Sequence, residues 1–109
     1  MKRSDEIKQE LERGMTAERE GNMGKARTSA RRAVGFALTE LHDRFPEAAP
    51  GRDFLEQLRA FAADDSIPRH VRDAADRLQA RLSPAFESPS LKPLEDAELI
   101  IQYVVGRLS

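Results

Sequence analysis

The segment from residue 24 to residue 45, GKARTSARRAVGFALTELHDRF, constrains the fold more than any other part of the chain. Its apolar residues recur at steps of three and four, which is the period of one face of an α-helix. They are Ala26, Ala30, Ala33, Val34, Ala37, Leu38, Leu41 and Phe45. This face is small at its N-terminal end and bulky at its C-terminal end. We therefore expect a second helix to lie close against the alanines, and this segment to be the central helix of a small bundle.

Length and composition limit the chain to one small domain. With 109 residues, 39% of them apolar and 34% charged, it can bury one core but has no room for a deep cleft between two lobes. Residues 1–109 are therefore predicted to form a single helical-bundle domain. The formal net charge is −1, so binding to nucleic acid or to anionic lipid would require a local basic patch.

Several classes of protein are disfavoured by what the sequence lacks. It has no cysteine, which rules out a disulfide framework and zinc sites built on thiolates. The first ten residues, MKRSDEIKQE, contain no apolar stretch of the secretory type. The apolar run LIIQYVV at 99–105 is far too short to cross a bilayer. A cytoplasmic protein without a membrane partner is the simplest prediction.

The first half of the chain reads as a helical hairpin. Residues 4–20 carry a narrow apolar stripe made of Ile7, Leu11 and Met15 at four-residue spacing. The glycines at 21 and 24 form a turn that would send the chain back antiparallel. The second helix should stop near residue 45, because Pro46 disfavours helical geometry in the residue before it.

Three further helices are predicted in the second half. A capping box of Asp53 and Glu56 opens the third helix, and residues 68–82 form the fourth. Residues 83–93, with three prolines and three serines, form an irregular connection to a fifth helix at 94–108. Residues 99–105 could also form a strand, but no partner strand is evident, so a helix is preferred. The fold class is therefore all-α, an antiparallel bundle of four to five helices.

A basic flank on the central helix is the best candidate for a ligand site. At 100° per residue Arg27 and Arg31 stack on one side of the helix, and Gly35 and His42 continue that side. A glycine inside a helix is unfavourable by about 0.5–1 kcal/mol, so a packed helix or a ligand should approach the backbone there. The two guanidinium groups suit a phosphate or a nucleotide edge. Alternatively, the arginines pair with glutamates of the first helix. No aromatic residue alternates with them along the helix, so base stacking is poorly supported.

No catalytic or metal-binding constellation is evident. His42 and His70 lie in different helices, without a second histidine or a cysteine at ligand spacing. Thr28 and Ser29 lie near Arg32, which cannot accept a proton, so they are poor nucleophiles. We predict no catalytic residue, no metal and no cofactor.

The fifth helix is apolar on two sides. Ala97, Ile101, Val104, Val105 and Leu108 form one face, and Leu99, Ile100 and Tyr103 point the other way. Either the bundle encloses this helix, or the second face is buried in another subunit. Residues 83–93 could also fold over it. We predict a homodimer whose interface contains Leu99, Ile100 and Tyr103.

The order of these segments resembles the HEPN superfamily, small helical bundles of bacteria, archaea and some eukaryotes. A charged helix leads through EREGNMGKA (18–26) into ARTSARRAVGFAL (26–38); two helices follow, and DAELIIQYV (96–104) closes the chain. The resemblance implies dimerisation and binding of nucleotides or RNA. One branch of the superfamily cuts RNA with an arginine followed, after four to six residues, by a histidine. Here neither His42 nor His70 has such an arginine, since residues 35–37 are Gly, Phe, Ala and residues 63–65 are Ala, Asp, Asp.

The sequence thus predicts a non-enzymatic binding or interaction module of the HEPN type. Its partner would be a nucleotide, RNA or another protein, and the candidate ligand residues are Arg27, Arg31, Gly35 and His42. One alternative is a HEPN-type ribonuclease whose active-site motif departs from that of the family and uses His42 or His70. Another is a purely structural partner in a toxin–antitoxin or transferase complex.

Overall fold

The structure, a computed structural model, describes residues 2–80 and 92–109. It contains five helices: α1 (Ser4–Arg19), α2 (Met23–Arg44), α3 (Phe54–Ala63), α4 (Arg69–Gln79) and α5 (Pro93–Leu108). Within the described ranges there is no strand, so the predicted all-α bundle is confirmed, including a helix at 99–105. Most of the predicted irregular connection, residues 83–91, lies outside the described residues. Its last residue, Pro93, is instead the first residue of α5.

The predicted hairpin of α1 and α2 is present and antiparallel. Gly21 adopts a φ of +79°, a conformation that favours glycine, and the side chain of Asn22 caps α2 by accepting a hydrogen bond from the Lys25 backbone N–H. At the other end, the Arg3 guanidinium lies 3.4 Å from carboxylate oxygens of both Glu40 and Asp43. The start of α1 is thereby tied to the end of α2.

The face that α1 buries differs from the predicted stripe. Ile7 is buried as expected, but Leu11 is half-buried and Met15 is 37% exposed. The helix instead buries a line with small residues in its second half: Ile7, Glu10, Gly14 and Ala17. Small residues face α2 here because its alanines come close, and bulkier side chains on this face would hold the two helices apart.

The helix α2 is the central element of the bundle. Apart from Phe45, which is half-buried, every residue of its predicted apolar face is buried. It packs against α1 and α5 along its length and contacts α3 more locally. The prediction that this segment forms the centre of the core is confirmed.

The remaining helices close the other side of the core. The Asp53 side chain accepts from the Glu56 backbone N–H at 2.9 Å and so caps α3, as predicted. A bidentate ion pair joins α4 to α5, with the Arg77 guanidinium 2.7 Å from a carboxylate oxygen of Asp96. None of the described helices combines the length and apolarity that crossing a membrane requires.

Candidate functional site

Arg31, one of the four predicted ligand residues, binds the end of α4. Its Nε donates to the carbonyl oxygen of Leu78 at 2.8 Å, and a terminal nitrogen donates to that of Ala80 at 3.1 Å. The last carbonyls of a helix lack partners within the helix and carry partial negative charge, so a guanidinium is well suited to them. Burial, together with the nearby positive charge of Arg27, lowers the pKa of Arg31. This arginine therefore has a structural role, since it ties the end of α4 to α2.

His42 also has a partner inside the protein. Its Nδ1 lies 3.2 Å from the carbonyl oxygen of Ala48, an acceptor, so this nitrogen donates. The contact fastens the loop between α2 and α3, in which Ala49 adopts a φ of +45° and is buried. His42 thus holds a loop, and it is not among the residues that line the surface depressions around Gly35.

The group that approaches Gly35 is an aromatic ring of α3. A Cβ atom at Gly35 would lie 3.5 Å from Cδ2 of Phe54, which is ordinary contact distance. The expectation of a close neighbour at this glycine is met by a packed helix. The same ring brings an aromatic side chain beside the arginines of α2.

Arg27 does not pair with a glutamate of α1. Its Nε is buried and has no hydrogen-bond partner among the described residues. The buried carboxylate of Glu10, on the face of α1 that meets α2, pairs at 2.9 Å with Arg13 of its own helix. The alternative in which the first helix neutralises the basic flank is therefore not what the structure shows.

A continuous groove runs between α2 and α3, and we call it the α2–α3 groove. It consists of two adjoining depressions of about 340 and 360 Å³, which share Arg32, Gly35 and Phe54. The first is completed by Thr28 and Arg31, and the second by Phe36, Thr39, Arg52, Asp53 and Gln57. Thr28, Arg32, Gly35 and Thr39 follow the four-three-four spacing of one helix face.

The charge in this groove is mainly positive. Arg32 and Arg52 are exposed, and within the described residues neither side chain forms an ion pair. The one acid among the lining residues, Asp53, has a carboxylate oxygen engaged in capping α3. The groove therefore presents two guanidinium groups that form no ion pair among the described residues, beside the half-buried ring of Phe54.

Sequence reasoning missed Phe54 and Arg52 as partners of the basic flank. Neither residue belongs to α2: Phe54 is the first residue of α3, and Arg52 lies in the loop just before its N-cap, Asp53. The capping box at Asp53 and Glu56 was the available signal, because it fixes where α3 begins and so which residues its first turn presents.

The outer side of α5 packs largely within its own chain. Ile100 is fully buried, and Leu99 and Tyr103 are half-buried. The ring of Tyr103 meets that of Phe61 edge-on, with centroids 5.8 Å apart and an interplanar angle of 77°. Ile100 has no exposed surface that a second subunit could cover. At this residue the structure shows the alternative in which the bundle encloses α5. An interface at Leu99 and Tyr103 stays a prediction.

His70, the other histidine, is exposed in the first turn of α4. Across residues 2–80 and 92–109, no three His, Cys, Asp or Glu side chains are grouped as a metal site would need.

Comparison of the chain with protein-family models, with curated proteins and with solved structures finds no match.

Proposed function

We propose that this protein is a non-enzymatic binding module, HEPN-like in kind, whose α2–α3 groove binds a phosphate-bearing ligand, either a nucleotide or a short single strand of RNA. The observation that carries the proposal is the grouping of Arg32, Arg52 and the Phe54 ring along one open groove. Guanidinium groups bind phosphate oxygens in a bidentate manner, and an aromatic ring offers a surface on which a base stacks.

The balance of energies favours a weak, salt-dependent interaction. Stacking of one base on an aromatic side chain contributes about 1–3 kcal/mol. Two exposed arginines contribute mainly through release of counterions, so the logarithm of the binding constant should fall with the logarithm of salt concentration with a slope of roughly −1.4 for single strands. Arg31 contributes positive charge at the groove wall, while its hydrogen bonds to α4 remain in place.

Fluorescence anisotropy with a labelled, mixed-sequence single-stranded RNA and with labelled ATP tests the proposal. Replacing Arg32 and Arg52 together by alanine should weaken binding at least about tenfold and flatten the salt dependence. The matched control replaces two exposed arginines outside the groove, Arg19 and Arg69, and should bind like the wild type. Equal loss in both double variants would show diffuse electrostatic attraction and contradict the proposal, as would the absence of binding to either probe.

A Phe54→Leu variant separates stacking from charge. It keeps an apolar side chain against Gly35 but removes the ring, so RNA and ATP should bind more weakly while inorganic phosphate is unaffected. The ribonuclease alternative makes a different prediction. Purified protein would cleave the RNA, and cleavage would be lost in a His42→Ala or His70→Ala variant.

We further propose that the protein works in the cytoplasm as a homodimer, with Leu99 and Tyr103 at the edge of the interface. The lack of cysteine suits a reducing compartment. Leu99→Glu is the variant for testing the dimer, because Tyr103 is packed against Phe61 and its replacement would disturb the core. Light scattering that shows a monomeric wild type at high concentration would refute the homodimer.

A further inference from the structure

A second groove, between α1 and α5, exposes apolar side chains. We call it the α1–α5 groove; it has a volume of about 330 Å³. Leu11 and Met15 of α1 form one wall, and Ile101 and Val105 of α5 form the other. Met15 is 37% exposed and Val105 is 44% exposed. Two of the large apolar side chains exposed in the described structure thus lie together in one concave surface.

The shape of this groove follows from how the helices pack. Both α1 and α5 rest on α2, but they touch each other over a small area only. Two helices that pack on a third helix without packing closely on each other leave a cleft along their length. On the α1 side, Ile7, Leu11 and Met15 occupy successive turns and extend over about 12 Å. These dimensions suit about two turns of a helix laid along the cleft, at about 5.4 Å per turn.

Charges at the mouth of the groove indicate what kind of helix fits. Glu12 stands on the α1 wall and Glu98 on the α5 wall, with Lys8 one turn from Glu12. Among the described residues none of the three forms an ion pair. The mouth therefore carries a net negative charge from two carboxylates on facing walls. A basic side chain of the incoming helix would compensate it.

The same charges argue against a second copy of this chain as the occupant. If two copies met through this face, four carboxylates and only two lysines would be brought together. Like charges placed opposite each other across an interface are unfavourable. A basic partner avoids this repulsion.

We propose that the α1–α5 groove binds an amphipathic helix of another protein, which inserts apolar side chains at successive turns and presents lysine or arginine to Glu12 and Glu98. This is the helix-in-groove form of recognition, in which apolar anchors give affinity and flanking charges give specificity. The site is separate from the α2–α3 groove, and either proposal stands without the other.

Two labelled peptides of about 14 residues, roughly four helical turns, serve as probes. Both carry leucine at every third or fourth position; one has lysine and the other has glutamate at its polar positions. Fluorescence anisotropy should show the lysine peptide binding the wild type at least about tenfold more tightly than the glutamate peptide. Replacing Glu12 and Glu98 together by lysine should invert this order.

Val105→Glu places a charge in the groove at an exposed position, so the fold should persist, and binding of the lysine peptide should weaken at least about tenfold. The matched control is Leu55→Glu on α3, where the exposed fraction is a similar 42%, and binding should be unchanged. Unaltered binding in Val105→Glu, equal binding of both peptides, or no binding at all would overturn the proposal. A wild-type dimer that Val105→Glu converts to a monomer would also overturn it, because a second copy would then occupy the groove.

Discussion

Replacing Gly35 by alanine should stabilise the protein. Gly35 lies inside α2, where glycine is about 0.8–1.0 kcal/mol less favourable than alanine. A Cβ atom there would lie 3.5 Å from Cδ2 and 3.9 Å from Cε2 of Phe54, both ordinary van der Waals distances. Because no neighbouring atom has to move, the whole gain in helix propensity should be realised, and contact of the methyl group with the ring adds to it.

The expected increase in the free energy of unfolding is about 1–1.5 kcal/mol. For a domain of this size, 1 kcal/mol corresponds to a rise of roughly 4–8 °C in melting temperature. Circular dichroism at 222 nm, followed during urea and thermal unfolding, measures both quantities.

Gly14→Ala is the matched control, since it offers the same gain in helix propensity in a different environment. There the new Cβ would lie 2.5 Å from Cδ2 of Leu94 and 3.3 Å from Cβ of Ser29. Overpacking of this kind is unfavourable by about 1–3 kcal/mol, which cancels or exceeds the gain. The melting temperature of Gly14→Ala should therefore not exceed that of the wild type. A Gly35→Ala variant that melts below the wild type would refute the reasoning, because the packing around Gly35 would then be tighter than Phe54 alone accounts for.

Two further predictions concern stability. Arg31→Met keeps the aliphatic stem but loses both hydrogen bonds to the end of α4. Urea unfolding should therefore show that the free energy of unfolding falls by about 2 kcal/mol. The control, Arg32→Met on the exposed side of α2, should change it by less than about 0.5 kcal/mol. The hydroxyl and backbone N–H of Ser66 both donate to the Asp64 carboxylate and hold its pKa below the usual value of about 3.9. The stabilisation from ionised Asp64 is therefore fully present above about pH 5 and is lost as the pH falls through the lowered pKa of the folded state. Ser66→Ala should reduce this dependence when unfolding is measured across the acid range.

The central helix shows what a sequence pattern predicts well. From Ala26 to Leu41 no charged residue interrupts the predicted apolar face, and the structure buries all of its apolar positions, together with Ser29. The start of α3 after Asp53 could be predicted from the sequence equally well, because a capping box is a local interaction between residues three positions apart. Both features depend only on short stretches of chain.

The features that were missed depend on contacts between distant segments. On α1, bulky Leu11 and Met15 signal a buried stripe, yet Gly14 and Ala17 face α2 because close approach to its alanines requires small side chains. Glu10 is buried on that face although it is charged, and its pairing with Arg13 offsets part of the unfavourable desolvation. Arg31 is a similar case, since its partners are backbone carbonyls of α4, which carry no side-chain signature in the sequence.

The ion pair between Arg77 and Asp96 joins the end of α4 to the start of α5. Near the other end of the bundle, Lys2 and Leu108 line one surface depression, which brings the first and last turns of the chain together. These two features make a circularly permuted form of the protein feasible. A short glycine-rich linker from Ser109 to Lys2, with new termini between residues 80 and 92, should leave the described helix contacts in place while α5 becomes the first helix to be synthesised.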